Sequence, residues 1–117
     1  MAYIHACLLP VPSENKAECK GFSENFAKVI KEYGAIKFIE RRGEDSPKGK
    51  LTSLPFAVML EPNVTLVLSW IYSPDKASRE TGMQQSMQDA RLQPEYAPMA
   101  FGGKRMMFGG FGWLVEL

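Results

Sequence analysis

One histidine, two cysteines and almost no net charge are the scarce resources of this 117-residue chain, and each scarcity removes a class of function. With His5 as the sole histidine no histidine-based metal cluster can form, and Cys7 and Cys19 lack any zinc-ligand spacing. No metal and no other cofactor is therefore expected. Fourteen basic against thirteen acidic side chains leave a net charge of +1, with none of the basic excess that binding a phosphate backbone demands, so nucleic acid is not the expected partner. The first residues carry no basic leader, and His5 and Pro10 interrupt the apolar run there. They read as neither a signal peptide nor a membrane span. With nothing to indicate secretion, both cysteines are read as free thiols of a cytoplasmic protein. Phosphate-loop, dinucleotide and nucleophile-elbow motifs are also missing: Gly102-Gly103-Lys104 precedes a strand pattern, not a helix.

Hydrophobic patterning is what the chain has in plenty. Its length suits one domain with a single core, 1–117. Residues 2–10 read as a strand ended by Pro10 and Pro12. Ser13 is placed to cap a helix over 14–33, whose Phe22, Phe26, Val29, Ile30 and Tyr33 form an apolar stripe, with Gly34 at its end. A second strand covers 35–42, and 43–50 is a polar loop. The stretch 52–60, with Pro55, reads as a short turn or irregular edge. Residues 64–72 (VTLVLSWIY) are the strongest strand pattern in the chain. Ser73-Pro74-Asp75 opens a second helix with Ser73 as the cap and Ala77, Thr81, Met83 or Gln84, Met87 and Ala90 facing inward. Residues 93–103 form a loop, and 104–116 form a last strand broken by glycines. A glycine pair within a strand marks a bulge or a close backbone approach. The order strand, helix, strand, strand, helix, strand is the α+β, ferredoxin-like βαββαβ pattern with a four-stranded antiparallel sheet and both helices on one face.

That architecture leaves a face to account for. Tyr3, His5, Cys7 and Leu9 alternate with Ile4, Ala6 and Leu8, and Leu66, Leu68, Trp70 and Tyr72 alternate with Thr65, Val67, Ser69 and Ile71. Neither set is polar enough to face water, and two helices cover only one. A homodimer packing sheet against sheet is the expected solution.

Candidate site residues each carry a plain structural reading beside the functional one. His5 has the side chain best suited to proton transfer near neutral pH, and also suits a hydrogen-bonded core or interface position. Cys7, two residues on, would be an activated thiol only with His5 close by. Glu40, followed by Arg41 and Arg42, either ends a solvated strand or faces a pocket in which Arg105 neutralises it or holds an anionic ligand. Lys104 and Arg105 serve equally well as interface charges. Trp70 is a core residue or a stacking surface for a flat ligand. The methionines, seven in all, suit an adaptable apolar cavity or simply an irregular core. An RNA-recognition motif is the nearest look-alike for this strand order, but Gly110-Phe111-Gly112-Trp113-Leu114-Val115 lies on the wrong strand without its leading cation.

Several blocks resemble the YbaA-like family, small bacterial proteins grouped as a domain of unknown function. They are Leu9-Pro10-Val11-Pro12, Tyr33-Gly34-Ala35, Ile39-Glu40, Gly43-Glu44-Asp45, Pro47-Lys48-Gly49-Lys50, Ala57-Val58, Ser69-Trp70-Ile71 and Asp89-Ala90-Arg91-Leu92. The most specific is Gly103-Lys104-Arg105-Met106 with Gly109-Gly110-Phe111. The resemblance implies a dimeric α/β barrel of ferredoxin-like subunits and implies no activity. The chain departs from the family pattern at His5, where an acid is expected, at Arg41 in place of a cysteine, and at Gly102 in place of an aspartate.

Together these readings lead to a homodimer with a small-molecule site between sheet and helices, built from His5, Glu40, Trp70 and Arg105. The alternative is a non-catalytic protein-interaction module working through loops 43–60 and 93–103, where Leu54, Phe56 and Met59 supply apolar contacts. RNA association stands last.

Overall fold

The computed structural model describes residues 2–47, 49–93 and 106–117. Four strands, β1 (Tyr3–Pro12), β2 (Lys37–Arg42), β3 (Val64–Ser73) and β4 (Met107–Phe111), form one antiparallel sheet in the order β2-β3-β1-β4. Among the described residues three helices join them: α1 (Lys16–Glu32), the single-turn α2 (Leu54–Ala57) and α3 (Lys76–Met87). Among the described residues no helix is long and apolar enough to cross a membrane.

β1 does not stop at its prolines. Pro10 pairs with Leu66 and Pro12 with Val64, while β4 pairs with β1 only from Ile4 to Leu8. From Leu9 onward β1 lies outside the β4 register, and an edge is where a residue without an N–H is tolerated in a sheet. At the other end of the chain the expected strand over 104–116 shrinks to β4. Residues 112–117 are exposed coil, and positions 104 and 105 lie outside the described residues.

The helices begin later than expected. Ser13 caps nothing: its hydroxyl bonds to that of Thr65 at 2.8 Å, a 3-10 turn follows over Ser13–Asn15, and α1 starts at Lys16. α1 buries Cys19, Val29 and Ile30, and Phe26 meets Phe38 of β2 edge-on at 5.7 Å. Gly34 follows with φ +108°, a conformation that favours glycine. The stretch 52–60 forms α2, capped by the Ser53 hydroxyl, which accepts from the Phe56 N–H at 3.1 Å. Ser73 is still in the sheet, paired with Tyr3, so Asp75 becomes the cap of α3 and accepts from the Ser78 N–H at 2.7 Å. The inward face of α3 accordingly carries Ser78, Arg79, Gly82, Met83 and Ser86, while Ala77, Thr81, Gln84, Met87 and Ala90 are exposed. Gly82 explains how close this helix comes to the end of α1: a Cβ there would lie 2.7 Å from the Tyr33 carbonyl oxygen.

The two sheet faces differ sharply. The helices cover His5, Leu9, Val11, Val67, Ser69 and Ile71, all buried, and Leu9, Val11, Cys19 and Val67 pack as a cluster. On the opposite face Trp70 is 41% exposed, Met107 45% and Phe111 56%, alongside half-buried Ile4, Leu8, Ile39, Leu68 and Tyr72. Trp70 is therefore not a core residue within the subunit.

Candidate functional site

The antiparallel register brings Cys7, Ser69 and Glu40 into one row across β1, β3 and β2, on the helix-covered face. Glu40 is half-buried there and receives two hydroxyl hydrogen bonds, from Ser69 of β3 and, at 2.5 Å, from Ser23 of α1. One O–H donor on each carboxylate oxygen fixes the orientation of both. The carboxylate opens into a cleft of about 1280 Å³ between the first half of α1 and the β2–β3 side of the sheet. Val11, Phe38 and Val67 supply apolar wall, and the exposed cations Lys16, Lys20 and Arg42 border it. Arg42 keeps only a loose ion pair with Glu44, at 3.9 Å between exposed side chains.

The thiols around this acid are held protonated. Burial, with the Glu40 charge added, pushes Cys7 up to about 11, and the same two causes raise Cys19 against a smaller opposing hydrogen bond from Ser23. A protonated, buried thiol is a poor nucleophile. Glu40 is the member of the row that lines the cleft.

Of the residues singled out from the sequence that the structure describes, His5 and Glu40 share a face, and they do not meet. His5 sits one row over, beside Gly110 of β4, with β3 between its strand and β2. It is buried, its ring stacks on Phe108 at 5.6 Å, and its pKa is lowered by burial and then by the Arg79 charge, so the ring is neutral at pH 7. Trp70 lies on the opposite face, and Arg105 lies outside the described residues. Sequence reasoning missed Ser23 and Ser69. Ser69 left a signal, as a serine inside the apolar run Leu66-Val67-Leu68-Ser69-Trp70-Ile71. Ser23 left a weaker one, four residues after the inward-facing Cys19 on α1.

The block Asp89-Ala90-Arg91-Leu92 has a different task. Asp89 accepts from the Arg91 backbone N–H at 2.8 Å, from Arg91 Nε at 3.0 Å and Nη2 at 2.9 Å, and from the Tyr33 hydroxyl at 2.8 Å. Arg91 also reaches Glu32 at 2.6 Å, and Asn25 donates to its carbonyl at 3.0 Å. This clasp ties the 3-10 turn Ala90–Leu92 to the second half of α1.

A family model described as a protein of unknown function (DUF1428) matches residues 2–103, from β1 through Glu40 and the Asp89 clasp. The chain belongs to this family. Among similar proteins, the Uncharacterized protein YbaA of Escherichia coli (strain K12) is 34% identical over 116 residues, covering 99% of both chains. The protein of the same description from Shigella flexneri matches equally, at 34% over 99% of each chain. Neither the family description nor these names assign an activity.

Proposed function

We propose that this DUF1428 member is a ferredoxin-like subunit of a cytoplasmic homodimer, and that each subunit binds a small molecule in the cleft beneath α1 with Glu40 as its anchor. The strand order, with helical crossovers between β1 and β2 and between β3 and β4, supports the ferredoxin-like reading. The dimer reading is supported by the open face around Trp70, Met107 and Phe111, which is more apolar than an isolated soluble subunit usually exposes.

One observation carries the ligand reading: an acid fixed by two hydroxyls at the wall of a large cleft, with apolar surface beside it and cations at the mouth. Such a site selects a ligand that presents a hydrogen-bond donor to Glu40 and a polar or anionic end to Lys16, Lys20 and Arg42. Native mass spectrometry of the freshly purified protein tests this. The expected result is a dimer carrying a reproducible extra mass that disappears in Glu40→Gln while the dimer persists. A bare dimer in the wild type, with no stabilising compound in a metabolite screen, discards the ligand site. That outcome would favour the second reading, a protein-interaction surface, for which Leu51, Leu54, Phe56 and Met59 stand exposed on the segment 51–59.

A further inference from the structure

We propose that Tyr3, His5, Arg79 and Gly110 form a binding site for a singly charged anion, a carboxylate or a small inorganic ion, at the edge of the sheet away from the Glu40 cleft. Among the described residues, His5 Nδ1 and Arg79 Nε are buried without a hydrogen-bond partner. They belong to one cluster. Arg79 reaches down from α3, its guanidinium lies 5.2 Å from the Tyr3 ring centroid, and its Nη2 donates to the Tyr3 hydroxyl at 3.3 Å. Its charge also acts on the His5 imidazole.

No carboxylate among the described residues is ion-paired with Arg79. A half-buried guanidinium without a counter-charge is costly, and a water molecule could fill a hydrogen bond there but not balance the charge. The remaining polar groups suit an anion as well. The Tyr3 hydroxyl, having accepted from Arg79, keeps its own proton to donate, and a neutral imidazole protonated at Nδ1 donates too.

The backbone of β4 is shaped for this arrangement. A Cβ built on Gly110 would fall on the Arg79 guanidinium and the Tyr3 hydroxyl, so glycine at this position is what admits the cation.

The test is a titration of the wild-type protein with formate, chloride and nitrate, ionic strength being balanced with bulky methanesulfonate. Thermal midpoint and the His5 ring resonances in the NMR spectrum are followed at fixed pH. At least one anion is expected to shift both in a saturable way, with affinity falling tenfold or more in Arg79→Lys, which keeps the charge but loses Nε, and also in Arg79→Gln. Lys76→Ala, which removes an exposed cation from the same helix, should leave the response intact. Saturation by formate alone identifies the carboxylate of a small molecule as the occupant, whereas saturation by chloride or nitrate identifies an inorganic ion. If no anion saturates in the wild type, or if Arg79→Lys responds as the wild type does, the site holds water only and the proposal is wrong. The wild-type titration decides the matter even if the arginine variants fail to fold.

Discussion

Asp89 carries more of the hydrogen bonding than its place just beyond α3 suggests. Three donors of Arg91 and the Tyr33 hydroxyl converge on it, and its carboxyl is held well below the ordinary value of 3.8, chiefly by the Arg91 side chain. A carboxylate whose pKa is depressed by folding contributes stability above its unfolded pKa and loses it as pH falls towards the folded value. Asp89→Asn should therefore be less stable than the wild type at pH 7, by a gap that stays constant down to about pH 4 and closes below it. Urea unfolding at pH 7, 5 and 3 measures this. An undiminished gap at pH 3 would mean that the clasp works through packing rather than charge. Residues also set the limit of what the sequence disclosed. Ser69 and Gly110 were conspicuous as types, a hydroxyl in an apolar strand and a glycine pair in a strand, and each has a matching role. Arg79 was not conspicuous, because an arginine on a polar helix is normally solvated and only the fold turns this one inward.

Elements were legible in kind and displaced in register. Each strand and both long helices overlap the segments that hydrophobic periodicity marks, with shifted ends, and the start of α3 depends on whether Ser73 pairs with Tyr3 or caps a helix, a choice made by β1, seventy residues earlier in the chain. Once the cap moves to Asp75, the inward face rotates onto Arg79, Gly82 and Ser86, and the stripe expected from Ala77 and Thr81 faces water. The glycines of the two long helices make the consequence testable. Gly21 sits in α1 with nothing within 4 Å of a would-be Cβ, so Gly21→Ala should stabilise by about 0.5–1 kcal/mol through helix propensity alone. Gly82 has the same propensity to gain, but its Cβ would lie 2.7 Å from the Tyr33 carbonyl oxygen. Gly82→Ala should therefore destabilise by about 1–3 kcal/mol, as overpacking of a close contact does. Chemical denaturation of the pair separates the two cases by sign, and stabilisation by both would show that α3 can shift away from α1 at no cost.

At the scale of the whole molecule the unresolved demand is the open sheet face. Trp70 pairs across the sheet with Ala6 and Ile39, while Lys37 and Arg41 stand in the neighbouring β2 positions of the same face and no acid lies among the paired residues there. The face that looked too apolar for water in the sequence is still exposed after folding, and Trp70, read from the sequence as a core residue or a stacking surface for a flat ligand, stands partly exposed on it. The homodimer proposed above would cover it with self-complementary chemistry, since an isologous contact sets each apolar patch against its twin. Trp70→Lys should weaken self-association by about a hundredfold or more, because it buries an unpaired cation beside two others at a dry interface. Sedimentation at micromolar concentration would then show a dimer for the wild type and a monomer for the variant. The monomer should remain folded, since the cluster of Leu9, Val11, Cys19 and Val67 lies on the other face and Trp70 is already 41% exposed within the subunit. A wild-type monomer at that concentration would remove the second copy from the account and leave the face to a different partner. A dimer that survives Trp70→Lys would place the contact elsewhere, and the exposed apolar segment 112–117 beyond β4, with Trp113 at 58% and Leu114 at 88% exposure, would be the surface to test next.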